Sequence, residues 1–162
     1  MRNDTHKWTA PSPLTRTVAG LRCIEVHPLA QHWLSGPDVL GRFADNLITW
    51  PTPITQDKYV LSLRRDRVMV VGGLDLPDGY HAATGLAVTD ISDAYQVIDI
   101  SGPAAFAHLQ RGAEVRVDQP SRSVQRRMFG CDVMLCCLDA ESGFRIHVPR
   151  AFAQSFVEQL CH

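Results

Sequence analysis

From Leu86 onward the chain is a succession of short β-prone runs cut by turn residues and interrupted by two helical patterns, an order that favours α+β over a doubly wound parallel sheet. LAVTDIS and AYQVIDIS are separated by little more than Asp93 and are expected to pair or to lie side by side. Ser101, Gly102 and Pro103 start a helix, and PAAFAHLQRG turns Phe106 and Leu109 inward before Gly112 closes it after about nine residues. SVQRRMF, DVMLCCL and FRIHV read as three further strands. VMLCCL is apolar throughout, as in a central strand covered on both faces, whereas Phe144, Ile146 and Val148 alternate with Arg145 and His147 as in a half-exposed one. In PRAFAQSFVEQL, Phe152, Phe156 and Leu160 recur every fourth residue beside Ala153 and Val157, an amphipathic helix headed by Pro149.

The first half is a shorter echo of that scheme. Leu21 to Val26 is β-prone, and Val39, Leu40, Phe43, Leu47 and Ile48 fall at helical spacing behind Pro37. Pro51 and Pro53 break the chain before YVLSL and VMVVGG, which form a hairpin around RRDR even though the turn lacks an Asn-Gly or Asp-Gly pair. LDLPDGYHAATG reads as a surface loop. Residues 1–17 are polar, carry Pro11 and Pro13, and show no apolar period, so a flexible or partner-bound arm is expected ahead of one domain over 18–162.

Composition excludes several classes of function. With 162 residues, 45% of them hydrophobic, the chain can bury one core without staples. Sixteen Lys and Arg against 17 Asp and Glu give no global field for nucleic acid or an anionic membrane. The opening MRNDTHKWTAPSPLTRT has no apolar central region of a secretory signal, and nowhere is there an uninterrupted apolar run of about 18 residues, so a soluble, cytoplasmic protein is expected. Five cysteines without dense spacing suit reduced thiols, and Cys136 and Cys137, adjacent on a strand, point to opposite faces and cannot grip one metal ion. VVGGLDLPDG has neither the Gly-x-Gly-x-x-Gly spacing nor the helix of a dinucleotide turn; a serine-hydrolase elbow, a Walker loop and a His-Glu-x-x-His helix are absent too. No catalytic constellation assembles from the sequence.

TDIS, ISGPAAFAHLQRG and FRIHVPRAFAQSFVEQL, in that order and at these separations, resemble the gamma subunit family of heterotetrameric sarcosine oxidase. That family has a similar aspartate-containing strand, a Leu-Ser-Gly-Pro-like step into a helix, and a Val-Pro-Arg-Ser-Phe-Ala-like segment before its terminal helix. The likeness runs from about Leu86 to the end and extends more weakly to SPL at Ser12 to Leu14 and to YVLSLRRDRVMVVG. Two departures stand out: QRGAEVRVD (Gln110 to Asp118) replaces a Lys-Gly-Cys-Pro-Leu-Asp-like segment, and DRVMVVGG replaces a tryptophan-bearing one. The resemblance implies a GcvT/TrmE-like fold, that of the folate-binding domain of the glycine-cleavage aminomethyltransferase, with two related β/α units, mixed sheets and short helices. It implies a non-catalytic subunit that contributes assembly and stability to a complex demethylating sarcosine or a related N-methyl amine. This chain would bind no cofactor, while FAD, FMN, NAD and tetrahydrofolate would reside on partner alpha and beta subunits and zinc on a delta subunit. A stand-alone folate-binding protein of one-carbon transfer is the alternative. An accessory protein for iron-sulfur maintenance would want a reactive cysteine in a defined loop, for which FGCDV around Cys131 is a weak signal.

The candidate contact residues are Arg122, Arg126, Arg127, Arg150, Trp8 and Trp33. Arg122, Arg126 and Arg127, with Arg111 and Arg116 nearby, form the most concentrated positive stretch; they suit a polyglutamyl tail, carboxylates of a larger subunit, or solvent. Arg150 sits at the unfavourable end of a helix dipole, which points either to an external carboxylate or to solvent. Trp8, Trp33 and Trp50 lie outside the strong core patterns and suit interface anchoring, although Trp50 can equally staple the end of the first helix. Asp90 and Asp99 on neighbouring strands could make a carboxylate pair, with a structural role the stronger reading, and His108 and His147 read as surface residues.

Overall fold

Side chains alternate along a strand, so each run places its residues on two faces, and a computed structural model describing residues 14–26, 29–138 and 143–162 shows what each face meets. In chain order the strands are Arg16–Val18 (β1), Leu21–Val26 (β2), Gln31–Ser35 (β3), Leu47–Ile48 (β4), Tyr59–Arg64 (β5), Arg67–Val71 (β6), Gly79–His81 (β7), Leu86–Asp90 (β8), Tyr95–Ser101 (β9), Gln125–Met128 (β10), Cys131–Cys137 (β11) and Gly143–Pro149 (β12). The helices are Val39–Arg42 (α1), Ala105–Gly112 (α2) and Ala153–Leu160 (α3), with one-turn 3-10 helices at Ala44–Asn46 and Arg150–Phe152. The fold class is α+β.

The strands form two six-stranded sheets, ordered β1-β2-β9-β12-β11-β10 and β4-β5-β6-β3-β8-β7. Two units of the same plan are visible. In β3–α1–β4–β5–β6 and in β9–α2–β10–β11–β12, the first strand pairs antiparallel with the last. A hairpin extends each sheet beyond the first strand, β8–β7 next to β3 and β2–β1 next to β9. Only the second sheet is mixed, through the parallel β4–β5 pair.

The sheets stack with helices outside. α2 and α3 cover the outer face of the first sheet, where Leu109, Phe156, Val157 and Leu160 meet Leu21, Ile98, Ile100, Leu135 and Ile146. α1 lies on the outer face of the second, where Val39 meets Leu34, Val68, Val70 and Val88. Between the sheets, Tyr59, Leu61, Leu63, Met69 and Val71 pack against Met134 and Cys136. The buried residues of α3, Ala153, Phe156, Val157 and Leu160, follow the helical period read from the sequence.

Several expectations need correction. The two runs after Leu86 do not pair: β8 joins β3 and β7, while β9 lies between β2 and β12 in the other sheet, so the short Ile91–Ala94 turn crosses between sheets. The helix expected over 39–48 is a single turn, because the chain leaves helical geometry at Phe43 and Leu47–Ile48 pairs with Val60 and Leu61. β3 and β7 were not apparent, the latter within the expected surface loop. β12 is not half-exposed: His147 is 0% exposed, because the second sheet roofs that face. The expected arm of residues 1–17 overlaps the folded part, since Leu14 is buried and Arg16–Val18 pairs with β2; residues 1–13, including Trp8, lie outside the described residues. The β5–β6 hairpin is present, with a register shift between Ser62 and Arg64. The β10–β11 turn is made by Phe129 (φ 46°) and Gly130 (φ 82°), the pair of positive values that a two-residue hairpin turn demands.

Candidate functional site

Gln31, Trp33 and Ser35 on β3 share the parity that faces the gap between the sheets, as do Tyr59 on β5, Tyr95 and Asp99 on β9, Asp132 and Met134 on β11, and Arg145 and His147 on β12. Polar residues at such positions must find one another, because burial without a partner costs about 1–3 kcal/mol per group. They do so in a chain across the sheet gap. Asp99 takes two hydrogen bonds from Arg145, at 2.7 and 2.8 Å, in the forked geometry that a guanidinium gives a carboxylate. A second arm of Arg145 reaches the Tyr59 hydroxyl at 3.5 Å. That hydroxyl lies 3.1 Å from His147 Nε2, and His147 Nδ1 lies 2.7 Å from Gln31 Oε1. Gln31 Nε2 donates onward to the Tyr95 carbonyl at 3.2 Å.

The donor order follows from the ends of the chain. Gln31 Oε1 can only accept, so His147 carries its proton on Nδ1 and accepts from Tyr59 at Nε2. Burial, reinforced by the Arg145 charge, lowers the His147 pKa to about 3 and keeps the ring neutral. Burial also raises the Tyr59 phenol above its ordinary value, opposed by Arg145. The Asp99 pair raises the already high pKa of Arg145 further. Asp99, Arg145, Tyr59, His147 and Gln31 are thus linked in one hydrogen-bonded chain, an arrangement that clamps the two sheets together.

The gap opens to solvent at one end. There a cleft of about 380 Å³ is lined by Trp33, Arg67, Tyr95, Asp132, Met134 and Phe152, among others. The Arg67 guanidinium lies 4.9 Å from the centre of the Trp33 ring and donates its Nε to Ser35 Oγ at 2.8 Å. Trp33 and Tyr95 meet at a 58° tilt with ring centres 6.0 Å apart. Burial raises the Tyr95 phenol pKa, with Asp132 adding to the effect and Arg67 opposing it. Among the described residues, the Trp33 indole N–H is buried without a hydrogen-bond partner. Phe152 at the rim is 52% exposed.

The residues singled out from sequence are only partly brought together. Trp33 lines the cleft, and Arg127 stands beside it, 3.6 Å from Asp132 and bonded to the Gly130 carbonyl. Arg150 finds its partner inside the chain, donating to the Asp93 carbonyl at 2.8 Å with the Asp93 carboxylate 3.5 Å away; the 3-10 turn keeps it ahead of α3 proper. Arg126 points to the other face, 5.6 Å from the centre of the Trp50 ring, and donates to the carbonyls of Ser123 and Gln125. Arg122 is exposed in the segment before β10. Trp50 is a core residue, 2% exposed, stacked on Phe144 and bonded through its indole N–H to the Arg116 carbonyl. Asp90 and Asp99 are in different sheets; Asp90 accepts from the backbone and hydroxyl of Ser92, so both carboxylates hold structure. His108, half-buried on α2, lies 2.6 Å from the Leu160 carbonyl. Gln31, Tyr59, Tyr95, Asp132 and Arg145 were not singled out for this gap, and polar side chains of inward parity are the signal that finds them.

No family profile and no curated protein matches the sequence. Solved structures do match in fold. A chain of the heterotetrameric sarcosine oxidase from Corynebacterium sp. U-96, solved in complex with pyrrole 2-carboxylate, superposes with a TM-score of 0.67 at 18% identity, over 91% of this chain and 86% of that one. The glycine cleavage system aminomethyltransferase T from Bartonella henselae superposes with a TM-score of 0.55 at 14% identity, over 91% of this chain but only 46% of the other. The fold is therefore the one shared by these proteins.

Proposed function

We propose that this chain is a gamma-type subunit of a sarcosine-oxidase-like flavoprotein complex, contributing geometry and stability rather than chemistry. The observation that carries the reading is the match in length as well as fold to a chain of a heterotetrameric enzyme, 91% of one and 86% of the other. The site agrees with it. The inter-sheet polar groups are engaged with each other, and Leu61, Met69, Met134 and Cys136, each no more than 2% exposed, fill the space around them. We take so filled an interior to disfavour the alternative of a stand-alone one-carbon transfer protein despite the shared fold. The open cleft, with Trp33, half-exposed Phe152 and flanking Arg67 and Arg127, is where we place contact with a larger, alpha-type subunit. Such aromatic and arginine anchors carry much of the energy of protein interfaces. FAD, FMN, NAD and tetrahydrofolate then belong to the partner subunits of a cytoplasmic complex.

Native mass spectrometry of the tagged chain, purified gently from its own cells with a visible spectrum of the same sample, tests this. The expected result is fixed-stoichiometry association with larger, yellow subunits. A colourless chain without large partners, under conditions that preserve known complexes, overturns it. Calorimetry of the isolated chain with tetrahydrofolate separates the alternative, for which heat of binding is required.

A further inference from the structure

On the far side of the first sheet from the cleft, Cys23 on β2 and Cys161 at the C-terminal end of α3 bring their sulfurs to 3.9 Å, although 138 positions separate them in sequence. Cys23 is 0% exposed, beneath α3. Cys161 is half-buried and lines a surface hollow of about 680 Å³ with Arg16, Glu158 and His162. The remaining thiols, Cys131, Cys136 and Cys137, are buried on β11. The two sulfurs thus form a pair in which one is reachable from solvent and the other is held behind it.

We propose that Cys23 and Cys161 are a redox modification site, closing to a disulfide in the presence of a hydroperoxide. Cys161, as thiolate, attacks the peroxide oxygen; the O–O bond breaks, hydroxide leaves, and Cys161 becomes a sulfenic acid. The Cys23 sulfur then attacks the Cys161 sulfur, the S–O bond breaks, and the Cys23 proton leaves with the hydroxyl as water. Two thiols and one hydrogen peroxide give one disulfide and two waters. Bond formation draws the sulfurs from 3.9 Å to about 2.05 Å, at a residue just beyond the last turn of α3. Burial and the neighbouring Cys161 push the Cys23 thiol up to about 12, so Cys23 does not compete as the first nucleophile. The product fastens α3 to the strand beneath it.

The test is oxidation of the full native chain with hydrogen peroxide, alkylation of remaining thiols in denaturant, and tryptic mapping. Cleavage after Arg22, Arg42, Arg127, Arg145 and Arg150 places Cys23 in 23–42, Cys161 in 151–162 and the other three cysteines together in 128–145. The expected product is a 23–42/151–162 cross-link, abolished by thiol reductant and absent from both Cys23→Ser and Cys161→Ser, with 128–145 recovered alkylated. A native chain whose Cys161 advances to sulfinic acid while Cys23 is recovered alkylated overturns the proposal. So does a chain whose cross-links join 128–145 as often as the expected pair.

Discussion

The Tyr59 hydroxyl gives its one proton to His147 and takes a contact from Arg145, so Tyr59→Phe leaves His147 Nε2 buried and short of a donor. The expected cost is about 1–3 kcal/mol, read as a lower urea midpoint at unchanged slope; an unaltered midpoint would show that the contact contributes nothing. His147 itself sets a pH dependence. Its folded pKa, about 3, lies below the ordinary value of 6.5, so in that window the unfolded chain binds the extra proton. Stability from this group is therefore present above about pH 6.5 and is lost as pH falls towards 3, by up to about 1.4 kcal/mol per pH unit. His147→Asn should flatten the fall in stability by one proton's worth, and an unchanged slope would refute the assignment. These residues were the least legible from sequence. Arg145 and His147 alternate with Phe144, Ile146 and Val148 just as residues on a solvated face do, and only the sheet above makes that face interior.

Elements whose identity depends on local chemistry were readable, and those that depend on partners were not. The Ser-Gly-Pro step into α2 is an example of the first kind. Gly102 has φ 114°, and a Cβ there would come within 2.4 Å of the Gly20 carbonyl oxygen in the β1–β2 turn, whose carbonyl also accepts from Ala104 N. Gly102→Ala is thus expected to combine backbone strain of about 1–3 kcal/mol with a clash between two elements. The purified variant should melt several degrees lower, and an equal melting temperature would show that the junction yields freely. By contrast, β3 opens with Gln31, whose side chain is satisfied only by His147 and the Tyr95 carbonyl, and its polar start concealed a strand. α1 is shorter than its sequence pattern because Leu47 and Ile48 keep helical spacing while belonging to a strand that needs β5.

Taken as a whole, the molecule is two sheets sharing one apolar cluster and one polar chain, with Gln31 and Tyr59 on one side and His147, Arg145 and Asp99 on the other. Neither sheet keeps its inner face covered without the other. Calorimetric and van't Hoff enthalpies should therefore agree in a single transition; two resolved transitions would show that the sheets unfold separately. The second sheet is drawn wholly from residues 31–90, whereas the first needs β1 and β2 from one end of the chain and β9 to β12 from the other. On the ribosome this fixes an order of events. The hairpin made first must wait for Tyr95–Ser101 to emerge before β2 has a neighbour, and for α3 before Leu21 and Cys23 are roofed, while the stretch between can already pair its own strands.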